Sequence, residues 1–132
     1  MKRTGILNGQ LMQQIANLGH TDTFLIGDAG MPVPAGVPII DLALTLGIPT
    51  FEQVLRAVCE EAVIEAGTIA VDTKQKNPAV YELIHSLVTG PVTEMAHSDL
   101  KLAVRNCKFA VRTGEPTPYA NIILRAGVAF AV

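Results

Sequence analysis

Short apolar runs alternate with segments of helical periodicity along almost the whole chain, and this alternation constrains the fold most strongly. From Leu7 to Leu18, apolar residues recur every three or four positions, as they do on one face of a helix. The apolar residues 24–26 follow and predict a short buried strand over 23–27. Such alternation is typical of an α/β domain with helices on both faces of its sheet.

Capping residues and further apolar runs extend this pattern towards the C-terminus. Helices are expected to begin after four residues of capping type: Asn8, Thr50, Asn77 and Ser98. Strands are expected at about 37–44, 68–71, 91–95, 109–111 and 122–128. The connections after Asp28 and Glu115 join two strands without a helix, which favours a mixed sheet. We therefore predict one three-layer α/β/α domain over residues 1–132, with a mixed, mostly parallel sheet.

Composition narrows the class of protein. Of the 132 residues, 49% are hydrophobic, which is enough for a core, whereas only 17% are charged. That charged fraction is low for a monomer's surface and hints that other subunits cover part of it. The net charge is −2 and the ten Lys and Arg residues are scattered, so we expect no nucleic-acid or membrane partner. The N-terminus lacks the apolar segment of a signal peptide, so a cytoplasmic protein is expected, with Cys59 and Cys107 as free thiols.

Two polar clusters stand out, over residues 19–36 and 113–121. His20 precedes the first predicted strand, and Asp28 follows it at the carboxyl end, where ligands collect in open α/β sheets. The second cluster contains Tyr119 and Asn121, which suit the recognition of hydroxyl groups. A second histidine, His97, follows the predicted strand 91–95, and Lys101 lies one helical turn later.

Each of these residues also has a purely structural interpretation. His20 is either a general acid or base or a cap on the first helix. Asp28 either binds a substrate hydroxyl, or orients His20, or closes an Asx-turn. His97 can simply start a helix, Lys101 can be solvated, and residues 119–121 can form an ordinary turn. Arg112 is expected to pair with Glu115.

Several motifs of other chemistries are missing from the sequence. It has no G-x-G-x-x-G, no Walker loop, no G-x-S-x-G elbow and no pair of histidines at metal-ligand spacing. Cofactor-free proton transfer on a small polar molecule, or binding of such a molecule, is what these residues still favour. No metal and no cofactor is expected.

Four motifs together resemble one known family over essentially the whole chain. They are M-K-R-T-G-I-L-N, L-G-H-T-D, D-A-G-M-P-V-P-A-G and R-T-G-E-P-T-P-Y-A-N-I-I-L-R-A-G-V-A-F. In this order they are similar to the D-ribose pyranase family, whose relatives include the L-fucose mutarotases. The resemblance implies conversion of ribose from its pyranose to its furanose form, which feeds ribokinase. It also implies rings of five subunits, stacked as decamers, with sites between neighbouring subunits.

The resemblance also suggests roles for individual residues. The family's catalytic histidine matches His20, and its sugar-binding aspartate and second histidine match Asp28 and His97. Its sugar-binding lysine matches Lys101, and its Tyr-Ala-Asn segment matches Tyr119, Ala120 and Asn121. An L-fucose-type mutarotase, a non-catalytic ribose-binding module linked to sugar uptake and a purely structural ring protein remain as alternatives.

Overall fold

A computed structural model describes residues 1–132 and shows a six-stranded sheet between two layers of helices. The elements in chain order are α1 (Gly9–Ala16), β1 (Thr23–Gly27), β2 (Ile39–Asp41), α2 (Phe51–Glu61), β3 (Ile64–Ala70), α3 (Thr73–Lys76), α4 (Pro78–Leu87), β4 (Val92–Met95), α5 (His97–Ala103), β5 (Phe109–Arg112) and β6 (Ile122–Ala126). A 3₁₀ turn, Val104–Asn106, follows α5. None of these helices has the length and apolar character that crossing a bilayer demands.

The sheet is mixed and mostly parallel, as predicted. Its strand order is β2-β5-β1-β6-β3-β4. Strand β6 runs antiparallel to its neighbours β1 and β3, whereas every other neighbouring pair is parallel. Five strands therefore end at one edge of the sheet, here called the carboxyl edge, and β6 begins there. The edge collects the residues that follow those five strands and the residues that precede β6.

Strand residues alternate between two cores, because successive side chains point to opposite faces of a sheet. In β1, Phe24 and Ile26 pack in the larger core with α1, α2 and α4, and Leu25 packs in the smaller core with α5. The rings of Phe24 and Phe109 stack with centroids 4.8 Å apart. Helices on both faces confirm the three-layer α/β/α architecture.

The two faces are covered unequally. The larger core contains 19 buried residues and the smaller one only 8, because α5 and its 3₁₀ turn are the helical elements of the second face. Beside them, over β3 and β4, this face forms an open groove with a volume of 210 Å³. Its polar lining residues are Thr23, Thr68, Thr93 and Arg125.

Three of the four predicted helix caps are confirmed. The Asn8 side chain accepts from the Leu11 N–H, Asn77 accepts from Val80, and Thr50 forms a capping box with Gln53. The capping role predicted for Ser98 is wrong. The helix starts two residues earlier than expected, at His97, with Ala96 as its N-cap and no side-chain capping bond.

Strand lengths differ from the sequence-based expectation at three places. The strand expected at 122–128 ends at Ala126, so Gly127 lies outside it. The strand expected at 68–71 spans Ile64–Ala70, because pairing with β6 extends back to Ile64. Gly67 lies inside this strand, where a Cβ atom would come within 2.9 Å of the Ile122 side chain. The strand expected at 37–44 contains only Ile39–Asp41, because β2 is an edge strand that pairs with β5 alone. The short helix α3 was not expected, and its four residues are too few for a periodic pattern.

Candidate active site

A carboxylate and an amide interlock at the carboxyl edge. The Asp28 N–H donates to Asn121 Oδ1 at 2.9 Å, and Asn121 Nδ2 donates to Asp28 Oδ2 at 2.9 Å. The antiparallel pairing of Ile26 with Ile122 places the two residues side by side, just beyond the paired ends of β1 and β6. Gly27 permits the approach, since a Cβ atom there would lie 3.0 Å from Asn121 Oδ1.

The Asp28 carboxylate also closes the turn that the sequence suggested. Its Oδ1 accepts from the Gly30 N–H at 2.9 Å, so the Asx-turn is present. The side chain is only partly buried, and a carboxylate offers about four acceptor positions. Asp28 can therefore hold the turn, bind Asn121 and still accept a hydrogen bond from a ligand hydroxyl.

His97 and Tyr119 form the second part of the carboxyl edge. Their rings meet edge-on, with centroids 5.0 Å apart and an angle of 65°. Tyr119 has a φ of 61°, in the left-handed region that non-glycine residues rarely adopt. Asn77 holds the preceding backbone by donating to Thr117 Oγ1 at 2.9 Å and to the Pro118 carbonyl at 2.8 Å. His97 Nδ1 is buried without a hydrogen-bond partner, which is unusual for a polar atom.

The remaining residues matched to sugar binding differ in what they can offer. Ala120 is fully buried, and its side chain packs in the larger core rather than facing a ligand. Lys101 is exposed on α5, one turn after His97.

His20 lies at the other end of β1, away from Asp28. The five residues of β1 span about 16 Å at roughly 3.3 Å per residue, so the two side chains of one chain cannot act on one small molecule. The expectation that Asp28 orients His20 is therefore wrong within a single chain. His20 Nε2 instead lies 3.0 Å from Oε2 of Glu65, whose Oε1 accepts from Arg125 Nε at 2.8 Å.

The hydrogen bond with His20 and, to a smaller extent, the one from Arg125 hold the pKa of the Glu65 carboxyl below its ordinary value. Glu65 is therefore ionised at neutral pH. The sequence analysis singled out His20 but missed both Glu65 and Arg125. Arg125 left a signal, because it is a charged residue inside an apolar run, whereas Glu65 stands before the predicted strand and left none.

Asp22 holds the turn that carries His20. Its Oδ2 accepts from the Gly19 N–H at 2.7 Å and from Lys108 Nζ at 2.9 Å. These two hydrogen bonds, of which the one from Gly19 has the larger effect, hold the pKa of the Asp22 carboxyl below its ordinary value. Thr21, next to His20, has a φ of 71°.

Other predicted features resolve simply. Arg112 pairs with Asp41 at 3.0 Å, whereas Glu115 accepts from the Phe51 N–H, so the expected pair of Arg112 with Glu115 is wrong. The cysteines are free thiols, and burial raises the pKa of both. No group of three or more His, Cys, Asp or Glu side chains is placed to hold a metal ion.

Comparison with known proteins defines the class to which this fold and site belong. Residues 1–129 match the model of the RbsD / FucU transport protein family, and the chain belongs to this family. A D-ribose pyranase of Coprothermobacter proteolyticus is 48% identical, with 98% of this chain and all of the relative covered. A D-ribose pyranase of Geobacillus kaustophilus is also 48% identical, with 99% of this chain and 97% of the relative covered.

Solved structures agree with this assignment. Bacillus subtilis RbsD, complexed with D-ribose, is similar with a TM-score of 0.95 and 42% identity, with 98% of this chain and all of that one covered. The fucose mutarotase of Streptococcus pneumoniae, in complex with L-fucose, has a TM-score of 0.79 at 20% identity, with 94% of this chain and 95% of that one covered. At that identity the second comparison concerns the fold alone.

Proposed function

We propose that this protein is a D-ribose pyranase, which interconverts β-D-ribopyranose and β-D-ribofuranose without a cofactor. The observation that carries the proposal is the interlocked Asp28–Asn121 pair at the carboxyl edge, in a fold that matches a ribose-bound relative with a TM-score of 0.95. Full-length similarity to D-ribose pyranases favours the same substrate. The furanose product would supply ribose phosphorylation in the cytoplasm.

Ring opening and ring closure each require two proton transfers, and neither changes the oxidation state of the sugar. His20 donates a proton to the ring oxygen as the bond from that oxygen to C1 breaks, and the anomeric hydroxyl loses its proton to a base. The resulting open chain carries an aldehyde at C1. The O4 hydroxyl then attacks C1 and gives its proton to His20, while the base returns its proton to the former aldehyde oxygen, and the furanose ring is closed. General acid–base catalysis typically contributes about 10²- to 10⁴-fold.

The carboxyl edge would recognise the sugar hydroxyls. Asp28 accepts from one hydroxyl while Asn121 keeps its carboxylate in place. Tyr119 offers a flat ring and a phenol, and the Ala120 backbone offers a further polar contact. His97, whose Nδ1 has no protein partner, would bind the sugar or accept the second proton.

The active site would combine two copies of the chain. His20 and Asp28 lie at opposite ends of β1, so the His20 of one subunit must reach the carboxyl edge of another. Apolar side chains available for subunit contacts are exposed on the edge strand β2 and the loop after it: Ile39, Leu44, Leu46 and Ile48. We extend the proposal to the family's homodecamer of two five-membered rings.

The first test is NMR exchange spectroscopy of D-ribose with and without the protein, with L-fucose as a parallel sample. Faster pyranose–furanose exchange for ribose is expected, and His20→Ala should remove most of it, by about 10²- to 10⁴-fold. Acceleration of L-fucose anomer exchange alone would assign the protein to the mutarotases. Binding of ribose without acceleration would identify a non-catalytic module. An unchanged rate in a folded His20→Ala variant would exclude His20 as the catalytic acid.

Complementation tests the composition of the site. His20→Ala and Asp28→Asn should each be nearly inactive alone, but a mixed assembly prepared by co-refolding should regain activity. With random one-to-one mixing in a closed ring, about a quarter of the sites would receive both native residues. Separately folded samples that are mixed without refolding are the control. If a verified mixed assembly regained no activity, that result would contradict a site shared between subunits.

A further inference from the structure

Glu65 lies between two nitrogen donors at the amino end of β1 and connects three segments of the chain. Its Oε2 is 3.0 Å from His20 Nε2, in the turn before β1, and its Oε1 accepts from Arg125 on β6 at 2.8 Å. The Glu65 side chain is 30% exposed and that of His20 is 43% exposed. Both carboxylate oxygens are thus engaged, and the imidazole still has a face open to solvent.

The backbone directs Glu65 to this position. The register of β3 against β6 shifts between Ile64 and Ala66, so Glu65 is the extra residue of a β-bulge. Bulges redirect a side chain relative to a regular strand and often occur beside functional sites. The neighbouring carboxylate of Asp22 is bound by Gly19 and Lys108, and Glu65 is therefore the acidic partner of His20.

The contact determines which imidazole nitrogen can exchange a proton. A carboxylate only accepts hydrogen bonds, so His20 Nε2 must carry hydrogen while it is bound to Glu65. In the neutral ring Nδ1 is then unprotonated, and in the charged ring Nδ1 carries the second proton. Arg125 keeps Glu65 in place, and the lowered pKa of Glu65 is consistent with a permanent carboxylate at neutral pH.

We propose that Glu65 is a positioning residue that fixes the tautomer of His20 and makes Nδ1 the nitrogen that exchanges protons with the sugar. The proposal rests on the proposed function, because it assumes that His20 is the acid. Nδ1–H gives its proton to the ring oxygen as the C1–O bond breaks, and the anomeric hydroxyl gives its proton to the second base of the site. When the O4 hydroxyl attacks C1, its proton returns to Nδ1 and the second base reprotonates the former aldehyde oxygen.

The test combines kinetics with ring NMR on the assembled protein. Glu65→Gln should lower kcat for ribose exchange by at least about tenfold and change KM by less than about twofold, because the sugar-binding residues lie elsewhere. Glu65→Asp keeps the charge but shortens the side chain, and it should be intermediate. Glu94→Gln removes an exposed carboxylate from neighbouring β4 and should retain the rate of the unmodified protein.

Long-range ¹H–¹⁵N spectra of the His20 ring give a readout that does not depend on activity. The unmodified protein should show neutral His20 as the Nε2–H tautomer, and Glu65→Gln should show a mixture with the Nδ1–H form. In kinetics, His20→Ala with Glu65→Gln should be no slower than His20→Ala alone. The proposal would be overturned if the rate losses of the two single variants multiplied in the double variant. It would also be overturned if the His20 tautomer were unaltered in Glu65→Gln.

Failure of the proposed function has a different signature. A protein that does not accelerate ribose exchange, or a His20→Ala variant that retains the full rate, would refute the acid role of His20 and with it the catalytic role of Glu65. An inactive His20→Ala variant beside a fully active Glu65→Gln variant would refute the Glu65 inference alone.

Discussion

The two ends of β1 carry comparable chemistry but are stabilised in different ways. At the carboxyl end, Asn121 is 2% exposed and bonds to Asp28 twice, both times at 2.9 Å. At the amino end, His20, Glu65 and Arg125 form ion pairs whose side chains are 43%, 30% and 49% exposed. The proposed sugar-binding residues are thus held in place within one chain, whereas the proposed acid lies on a solvated surface of that chain.

This difference has an energetic consequence. Leaving a buried donor or acceptor unpaired costs about 1–3 kcal/mol, whereas an exposed ion pair contributes about 0–1 kcal/mol. Changes at the carboxyl end should therefore affect folding and sugar binding together. Changes at the amino end should affect catalysis while the fold persists.

Asn121→Ala should have the largest effect on stability. It leaves the Asp28 N–H without its acceptor and removes the donor to the carboxylate, so we expect a loss of about 2 kcal/mol in the free energy of unfolding. Urea denaturation measures this loss, and ribose binding should weaken in the same variant. Asn106→Ala, at an exposed position, is the control. Equal stability of the two variants would contradict the conclusion that the buried bonds at the carboxyl end stabilise the fold.

Gly27→Ala should have the next largest effect. The added methyl group would lie 3.0 Å from Asn121 Oδ1 and 3.1 Å from Met31 Cβ, and overpacking of this kind costs about 1–3 kcal/mol. Gly9→Ala in α1 is a control of opposite sign, since its Cβ meets nothing within 4 Å and alanine favours a helix. Thermal unfolding should show a lower Tm for the first variant and an unchanged or higher Tm for the second.

Asp22→Asn should have the smallest effect, and that effect should depend on pH. The pKa of Asp22 is lowered in the folded protein, so its ionised form stabilises the fold above the ordinary aspartate value of about 3.9. This contribution is lost as the pH falls through the folded-state pKa. Because the side chain is 36% exposed, we expect less than about 1 kcal/mol at pH 7. Urea unfolding of both proteins at neutral and strongly acidic pH should show curves that converge in acid.

Local signals in the sequence predicted much of the fold. The caps Asn8, Thr50 and Asn77 act through residues three positions away, so their helices were readable from the sequence. Ser98 misled because capping residues are also common within the first turn of a helix. Strand β2 was overestimated because its length depends on a single partner strand, which local sequence does not specify.

The carboxyl edge was partly predictable as well. A polar residue directly after a buried apolar run marks the end of a strand, and this pattern singled out Asp28. Its bond with Asn121 joins residues 93 positions apart and depends on the antiparallel pairing of β1 with β6. Sequence patterns suggested that the two polar clusters are partners, but they did not show which atoms meet.

The sequence by itself determined the alternating elements, the family motifs and the polar residues that bracket β1, because these follow from local periodicity and residue type. Tertiary structure alone decided that His20 pairs with Glu65 rather than with Asp28. That pairing depends on the β3–β6 register and its bulge, over 45 residues of sequence separation. Register is a property of the assembled sheet, since a shift of one residue would turn every side chain of a strand to the opposite face.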